Sequence, residues 1–206
     1  MKQWCIPKAS AKFVAKMEEV LEVYRRPPDP KRPLVCLDEA GKALVATPRG
    51  VLPAAPGQPR KQDYEYKRQG SANLFLALAP WLGWRKVRVT AQRTAYALAE
   101  FLRQLVEEDF PEAECIVLVA DNLNTHNNAC LYERFPPEQA RRIAAKLEWH
   151  YTPEHGSWLN IAECEWSVLM RQCLDERIAD RESLQAAVTA WANERNAAAV
   201  NIQWHF

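Results

Sequence analysis

The sequence predicts an α/β domain, a mixed sheet of five strands flanked by helices, and three observations predict it. Five short apolar runs, at 34–37, 72–80, 84–90, 115–120 and 147–151, have the length of buried or half-buried strands. Longer segments whose apolar residues recur at spacings of three and four lie around and between them, which is the helical period. The chain has 206 residues, 48% of them hydrophobic and 26% charged, which suits one generous domain or two small ones with a core large enough to fold without disulfides or a structural metal.

In chain order, Phe13, Val14, Met17, Val20, Leu21 and Tyr24 predict an amphipathic helix over 8–26 that opens near Ser10 and stops at Pro27-Pro28. Eight of the fourteen prolines fall between 27 and 60, bracketing the run Leu34-Val35-Cys36-Leu37, a short buried strand ending in Asp38-Glu39. Residues 1–32 thus read as an N-terminal helix with a proline-rich linker, and 33–206 as the main domain. The runs 72–80 and 84–90 turn on each other near Leu82-Gly83. The second alternates basic and apolar residues as an edge strand does, so the first three strands suggest an antiparallel meander. Leu98, Phe101, Leu102, Leu105 and Val106 stripe a helix over 94–110. The continuous run Cys115 to Ala120 then ends at Asp121, a buried strand parallel to its neighbour because a helical crossover precedes it. A polar loop, DNLNTHNN, leads to a helix over 137–146, a strand over 147–151, a loop around Pro153 and Gly156, and helices over 158–173 and 181–197.

No stretch reaches the roughly 18 uninterrupted apolar residues of a membrane span, and the opening MKQWCIPKASAKF has no apolar segment before a cleavage site, so a cytoplasmic protein with no membrane partner is expected. Six cysteines are scattered without a C-x-x-C pair, which speaks against zinc or a disulfide framework. The net charge of +1 hides a polarised chain, with eight Lys or Arg against two acids in 60–93 and seven acids against one Arg in 100–121. Such segregation suits a basic surface beside an acidic site, as well as an ordinary solvated surface.

Two strand-like runs each end in an aspartate, LVCLD at Asp38 and VLVAD at Asp121, and open α/β sheets build their sites at the carboxyl ends of strands. Each aspartate alone fits a turn former or helix cap equally well. The helix from Trp158 adds Glu163 and Glu165, which at 3.6 residues per turn lie about 200° apart, so only one faces a given site. The helical wheel leaves the choice open, with Glu165 nearer the centre of the apolar stripe. Three carboxylates without His or Cys ligands suit Mg²⁺ or Mn²⁺. Two such ions about 4 Å apart activate an attacking water or 3′-hydroxyl and stabilise the leaving oxygen at a phosphodiester.

The sequences CLDE (36–39), VLVADNLNTH (117–126) and YTPEHGSWLNIAECEWSVL (151–169) resemble the three motif blocks of the DDE transposases of the IS630/Tc1/mariner superfamily. The resemblance extends over nearly the whole chain, and the third block, with Trp158, Leu159, Asn160, Glu163 and Trp166, is its most specific part. It implies a ribonuclease H-like fold with Asp38 on the first strand, Asp121 on the fourth and Glu163, not Glu165, as the third acid. It further implies two Mg²⁺ or Mn²⁺ ions on these acids, double-stranded DNA as partner, cleavage at terminal inverted repeats, joining of the freed 3′ ends to a TA target, and a homodimer in the DNA complex. The 41 residues between Asp121 and Glu163 exceed the Tc1-like spacing, and the segment YERFPPEQARRIAAK is the expected insert. The stretch before Asp38 is too short for the family's helix-turn-helix region. The expected role is therefore the catalytic domain. The alternatives are a catalytically silent fragment that binds DNA or a partner transposase, and a related nuclease without strand transfer.

Asn122, Asn124 and His126 follow the second aspartate and His155 precedes the acidic helix; each histidine is expected to orient a metal-bound water or contact a phosphate, or simply to be solvated, and Asn122 is a further expected DNA contact. Asn160 reads as a helix cap or packing contact. Arg60, Lys61, Arg85, Lys86 and Arg88, with Lys67, Arg68 and Arg93, are the expected DNA-backbone contacts. Among the eight tryptophans, Trp158, Trp166 and Trp191 fit helical core stripes, so packing is expected of them rather than base stacking.

Overall fold

Ser10 opens the first helix by accepting a hydrogen bond from the Phe13 N–H at 3.1 Å, and the helix, α1 (Ala11–Arg25), ends before the Pro27-Pro28 pair that cannot continue it. The computed structural model describes residues 10–121 and 127–202. Then follow β1 (Leu34–Ala46), the two-residue strands β2 (Val51–Leu52) and β3 (Lys61–Gln62), β4 (Lys67–Ala79) and β5 (Trp84–Thr90). Thr94 caps α2 (Ala95–Gln104), which loosens into a π-helical turn over Leu105–Asp109. The chain continues through β6 (Ile116–Ala120), α3 (Ala129–Arg134), α4 (Pro137–Ala144), β7 (Leu147–Tyr151), a 3₁₀ turn over Ser157–Leu159, α5 (Ala162–Gln172) and α6 (Arg181–Ala197).

The main sheet has the order β5-β4-β1-β6-β7. β1, β4 and β5 form the antiparallel meander, while β6 runs parallel to β1 and β7 parallel to β6. This is the expected mixed five-stranded sheet, but β1 does not end at Asp38-Glu39. It runs on to Ala46, because Ala40, Gly41 and Lys42 pair with Leu74, Asn73 and Ala72 of β4. Backbone pairing carries the strand across Asp38–Lys42, where no apolar run announces it, to the apolar Ala43–Ala46. Helix α3 follows the polar stretch 121–128 and begins where the sequence pattern assigns no element, and the insert seen in sequence covers the last residues of α3 and all of α4.

Strand alternation sorts the core onto two faces. Cys36, Leu74, Leu76 and Val119 pack with Val20, Val23 and Tyr24 of α1, Trp166 and Leu169 of α5, and Leu184, Val188 and Trp191 of α6. Val35, Leu37, Phe75, Ile116 and Leu118 pack on the other side with Leu98, Phe101, Leu102, Cys130, Leu131 and Ile143 of α2, α3 and α4. By this parity the side chain of Asp38 falls on the α5 face and that of Glu39 on the α2 face. The outer edge of β5 is covered by side chains of α6. The Asn196 amide accepts from the Arg85 N–H and donates to its C=O, both at 2.8 Å. Gln185 accepts from the Val89 N–H at 2.7 Å and donates to the Val87 C=O at 3.2 Å. No described helix is long and apolar enough to cross a membrane.

Candidate active site

Asp38 sits midway along β1, half-buried, with both carboxylate oxygens held. The Glu39 N–H donates to Oδ1 at 2.8 Å, and the Trp166 indole Nε1–H donates to Oδ2 at 3.0 Å. Burial pushes the Asp38 carboxyl up to about 6, and the negative charges of Glu163 and Asp121 push in the same direction, against the two hydrogen bonds. Asp121 directly follows the buried strand β6, and Glu163 lies exposed in the first turn of α5. The sheet and α5 thus bring the three sequence-predicted acids within electrostatic reach of one another.

The two glutamates of α5 have opposite fates. Glu165 is fully buried and meets two guanidinium groups, Arg85 Nε at 2.9 Å and Arg195 Nε at 3.0 Å. Arg85, itself only 1% exposed, also donates to the carbonyls of Gly83 and Val200. Glu165 therefore ties α5 to β5 and α6. With Glu165 turned inward, the helical period turns Glu163 outward, toward the aspartates.

The approach to α5 is fixed from below. Asn160, 1% exposed, donates Nδ2 to the Leu37 carbonyl at 2.9 Å and accepts the Ala162 N–H at 3.2 Å, so it braces the turn before α5, whose N-cap is Ile161, and ties it to the residue preceding Asp38. Tyr24 of α1 donates its hydroxyl to the Leu159 carbonyl at 2.8 Å. Neither the Tyr24 clamp nor the indole bond from Trp166 was signalled in the sequence, where both residues read only as apolar positions on helical stripes.

The expected DNA contacts are dispersed. Asn122, Asn124 and His126 lie outside the described residues. His155 is exposed, with φ of 61°. Lys61 is exposed on β3, Arg60 is exposed and paired with Glu176, and Lys86 pairs with Asp109 at 2.6 Å. Arg88 lines a cleft of about 430 Å³ along β5 with Gln104, Thr189 and Asn193. Arg85 is a correction: buried and committed to Glu165, it has no surface to offer a phosphate. Trp158 is another, since it is 54% exposed rather than packed in the core, whereas Trp166 and Trp191 are buried as expected.

Three carboxylates within electrostatic reach, one of them raised by burial and further by the charges of the other two, form a donor set whose chemistry fits a hard divalent cation, whose charge would relieve that repulsion. Among the described residues no three His, Cys, Asp or Glu side chains are gathered tightly enough to close a metal site as they stand.

Residues 33–185 match the family profile of the DDE superfamily endonuclease. No curated protein matches the chain in sequence. Among solved structures, the Mos1 mariner paired-end complex with Mn is 16% identical, with a TM-score of 0.60 over 97% of this chain and 62% of that one. The Mos1 strand transfer complex is 15% identical at a TM-score of 0.61, over 97% of this chain and 61% of that one. The catalytic domain of Mos1 mariner transposase is 14% identical at 0.55, over 96% of both chains. At these identities the likeness is one of fold, which is ribonuclease H-like. The chain spans about three fifths of the length of the Mos1 chains in those complexes.

Proposed function

The chain belongs to the DDE superfamily endonuclease family, and from that premise we propose that it is the catalytic part of a transposase. It cuts double-stranded DNA at transposon ends, the terminal inverted repeats, and joins the freed 3′ ends to a TA target, working as a homodimer on DNA. The observation that carries this reading is the convergence of Asp38, Asp121 and Glu163, with Asp38 lifted to about 6 among the other two charges.

In this reading Asp38, Asp121 and Glu163 would hold two Mg²⁺ or Mn²⁺ ions, which would supply the Lewis acidity needed to activate a water or a DNA 3′-hydroxyl and to stabilise the leaving oxygen. The protein's own contribution is orientation. Trp166 and the Glu39 N–H fix both oxygens of Asp38, Asn160 ties α5 to the strand that bears it, and Glu165 sets the rotation of α5.

The test is Mg²⁺- or Mn²⁺-dependent nicking and strand transfer on DNA bearing the element's ends, comparing the wild type with Asp121→Asn and Glu163→Gln. Metal-dependent products abolished by both substitutions are expected. Products that persist in either variant would remove that acid from the proposal.

A further inference from the structure

Trp158 stands out among the exposed aromatic residues because everything around it is anchored. Of residues 152–160, Thr152, Pro153, Gly156, Leu159 and Asn160 are buried, while Glu154, His155, Ser157 and Trp158 face outward. Hydrogen bonds from the Gly156 N–H to the Pro153 carbonyl at 2.8 Å, from Leu159 to Gly156 at 3.0 Å and from Asn160 to Ser157 at 2.7 Å close the segment into consecutive tight turns. A β-carbon on Gly156 would stand 2.5 Å from Pro153 Cγ, so the turn is also packed against itself. An indole that could have been buried is instead held out to solvent on a stiff support.

Its position is bounded by the chain. Consecutive Cα atoms are 3.8 Å apart, so the Cα of Trp158 lies within about 8 Å of that of Asn160, whose side chain is bonded to the residue preceding Asp38. Three acids occupy the neighbouring space and repel phosphate unless it arrives with cations. An exposed indole offers a flat apolar face and one N–H donor, which suits a nucleobase and not a phosphate. Bases within a duplex have both faces covered by their neighbours, so the base with a face to offer is an unpaired one at a DNA end.

We propose that Trp158 is a stacking platform for an unpaired nucleobase beside the scissile or newly cut DNA end. This rests on the transposase reading and adds to it a contact with a base where the acids address only the phosphodiester. Stacking of this kind is tolerant of base identity, so Trp158 selects for an open end rather than for a sequence.

The experiment uses the full chain, Trp158→Ala and Trp158→Phe, with Ca²⁺ as the metal, and duplexes carrying 2-aminopurine either as an unpaired 3′ overhang or within the paired stem. Trp158 is 54% exposed and belongs to neither core cluster, so all three proteins are expected to share one circular dichroism spectrum. The wild type should quench the overhang probe, and Trp158→Ala should lose the quenching and bind overhang DNA about tenfold more weakly. Its affinity for the paired duplex should be unchanged, and Trp158→Phe should restore most of the loss. Equal quenching by Trp158→Ala, equal losses on both DNAs, no rescue by Phe, or no binding of overhang DNA by the wild type overturns the proposal. A wild type that shows Trp158-dependent quenching yet never cuts with Mg²⁺ or Mn²⁺ keeps the stacking platform and removes the transposase reading. One that cuts while Trp158→Ala quenches normally does the reverse.

Discussion

Two carboxylates two residues apart on α5 live under opposite electrostatic regimes. Glu165 is buried beside two fixed guanidinium groups, at 2.9 and 3.0 Å from their Nε atoms, so its charge is answered by the protein itself. Glu163 is exposed and within electrostatic reach of Asp38, whose carboxyl burial, and after it the acidic neighbours, raises to about 6. A carboxylate matched by built-in cations serves the fold. Carboxylates gathered with like charges store a repulsion that a mobile cation relieves, which is the economy of a metal-dependent site. In the proposed reading the same helix gives one acid to stability and the other to chemistry.

If that division is right, exchanging the two acids' fates separates activity from stability. Glu163→Gln is expected to lower metal-dependent nicking by at least about a thousandfold, roughly 4 kcal/mol of transition-state stabilisation, while leaving the urea midpoint within experimental error. A Glu163→Gln protein that cuts normally would collapse the distinction.

Glu165→Ala should do the opposite. Leaving Arg85 and Arg195 without their buried partner is expected to cost about 3–5 kcal/mol, read as a lower midpoint in urea unfolding. A midpoint equal to that of Glu163→Gln would show that the buried knot contributes no more than the open acid.

The pH response sharpens the contrast. The Asp38 carboxyl is higher in the folded protein, about 6, than its ordinary value of 3.8, so the native state binds the proton more tightly than the unfolded chain. The unfolded chain ionises first, and stability falls as pH rises from about 4 to about 6, by up to about 3 kcal/mol before relaxation. Asp38→Asn should therefore raise the melting temperature at pH 7 and flatten this part of the profile in calorimetry. Mg²⁺ must displace the proton, so the Mg²⁺ concentration for half-maximal activity should fall as pH rises through about 6. Trp166→Phe, which removes the N–H that stabilises the charged form, should move that dependence to higher pH and slow nicking about tenfold, the equivalent of one charge-assisted hydrogen bond. An unmoved profile would detach Trp166 from the site.

The smallest effect is expected at Glu148, where β7 meets the start of the domain. Arg26 and His150, with Arg32 nearby, pull its carboxyl down to about 2 against the cost of partial burial. Here the sign reverses: the stabilisation is complete above about 4.5 and is lost as pH falls toward 2. Because these partners are partly solvated, Glu148→Gln should cost only about 1 kcal/mol at pH 7 and nothing at pH 2. A loss at pH 7 as large as that of Glu165→Ala would erase the difference between a solvated and a buried cluster.

How much of this was legible in the sequence follows from the range of the interactions. Asp121 follows its strand as the apolar run predicts, whereas Asp38 was singled out by a strand end that the structure moves on to Ala46, because backbone pairing with β4 extends the strand past the apolar run. The mixed sheet followed from the order of strands and the helical crossover before 115–120. The two glutamates could not be separated by periodicity, since the partners that decide the matter, Arg85 and Arg195, lie far along the chain from Glu165. The same distance hid the indole bond from Trp166 to Asp38. Trp158 reads in sequence as one more apolar position on a helix. The chain instead makes a 3₁₀ turn over Ser157–Leu159 and starts α5 only at Ala162, which removes Trp158 from the helical stripe. Arg85 looked like a member of a basic edge strand, and it is one, but its side chain points to the α5 face.

The amide caps along β5 carry a consequence for how this protein meets other chains. A bare outer strand is a template on which any extended segment can crystallise, including the same strand of another molecule. Asn196 and Gln185 occupy the peptide groups of Arg85, Val87 and Val89 as an imitation sixth strand borrowed from a helix. In the proposed role, with many copies gathered along DNA, this border stays sealed, and crowding need not become fusion.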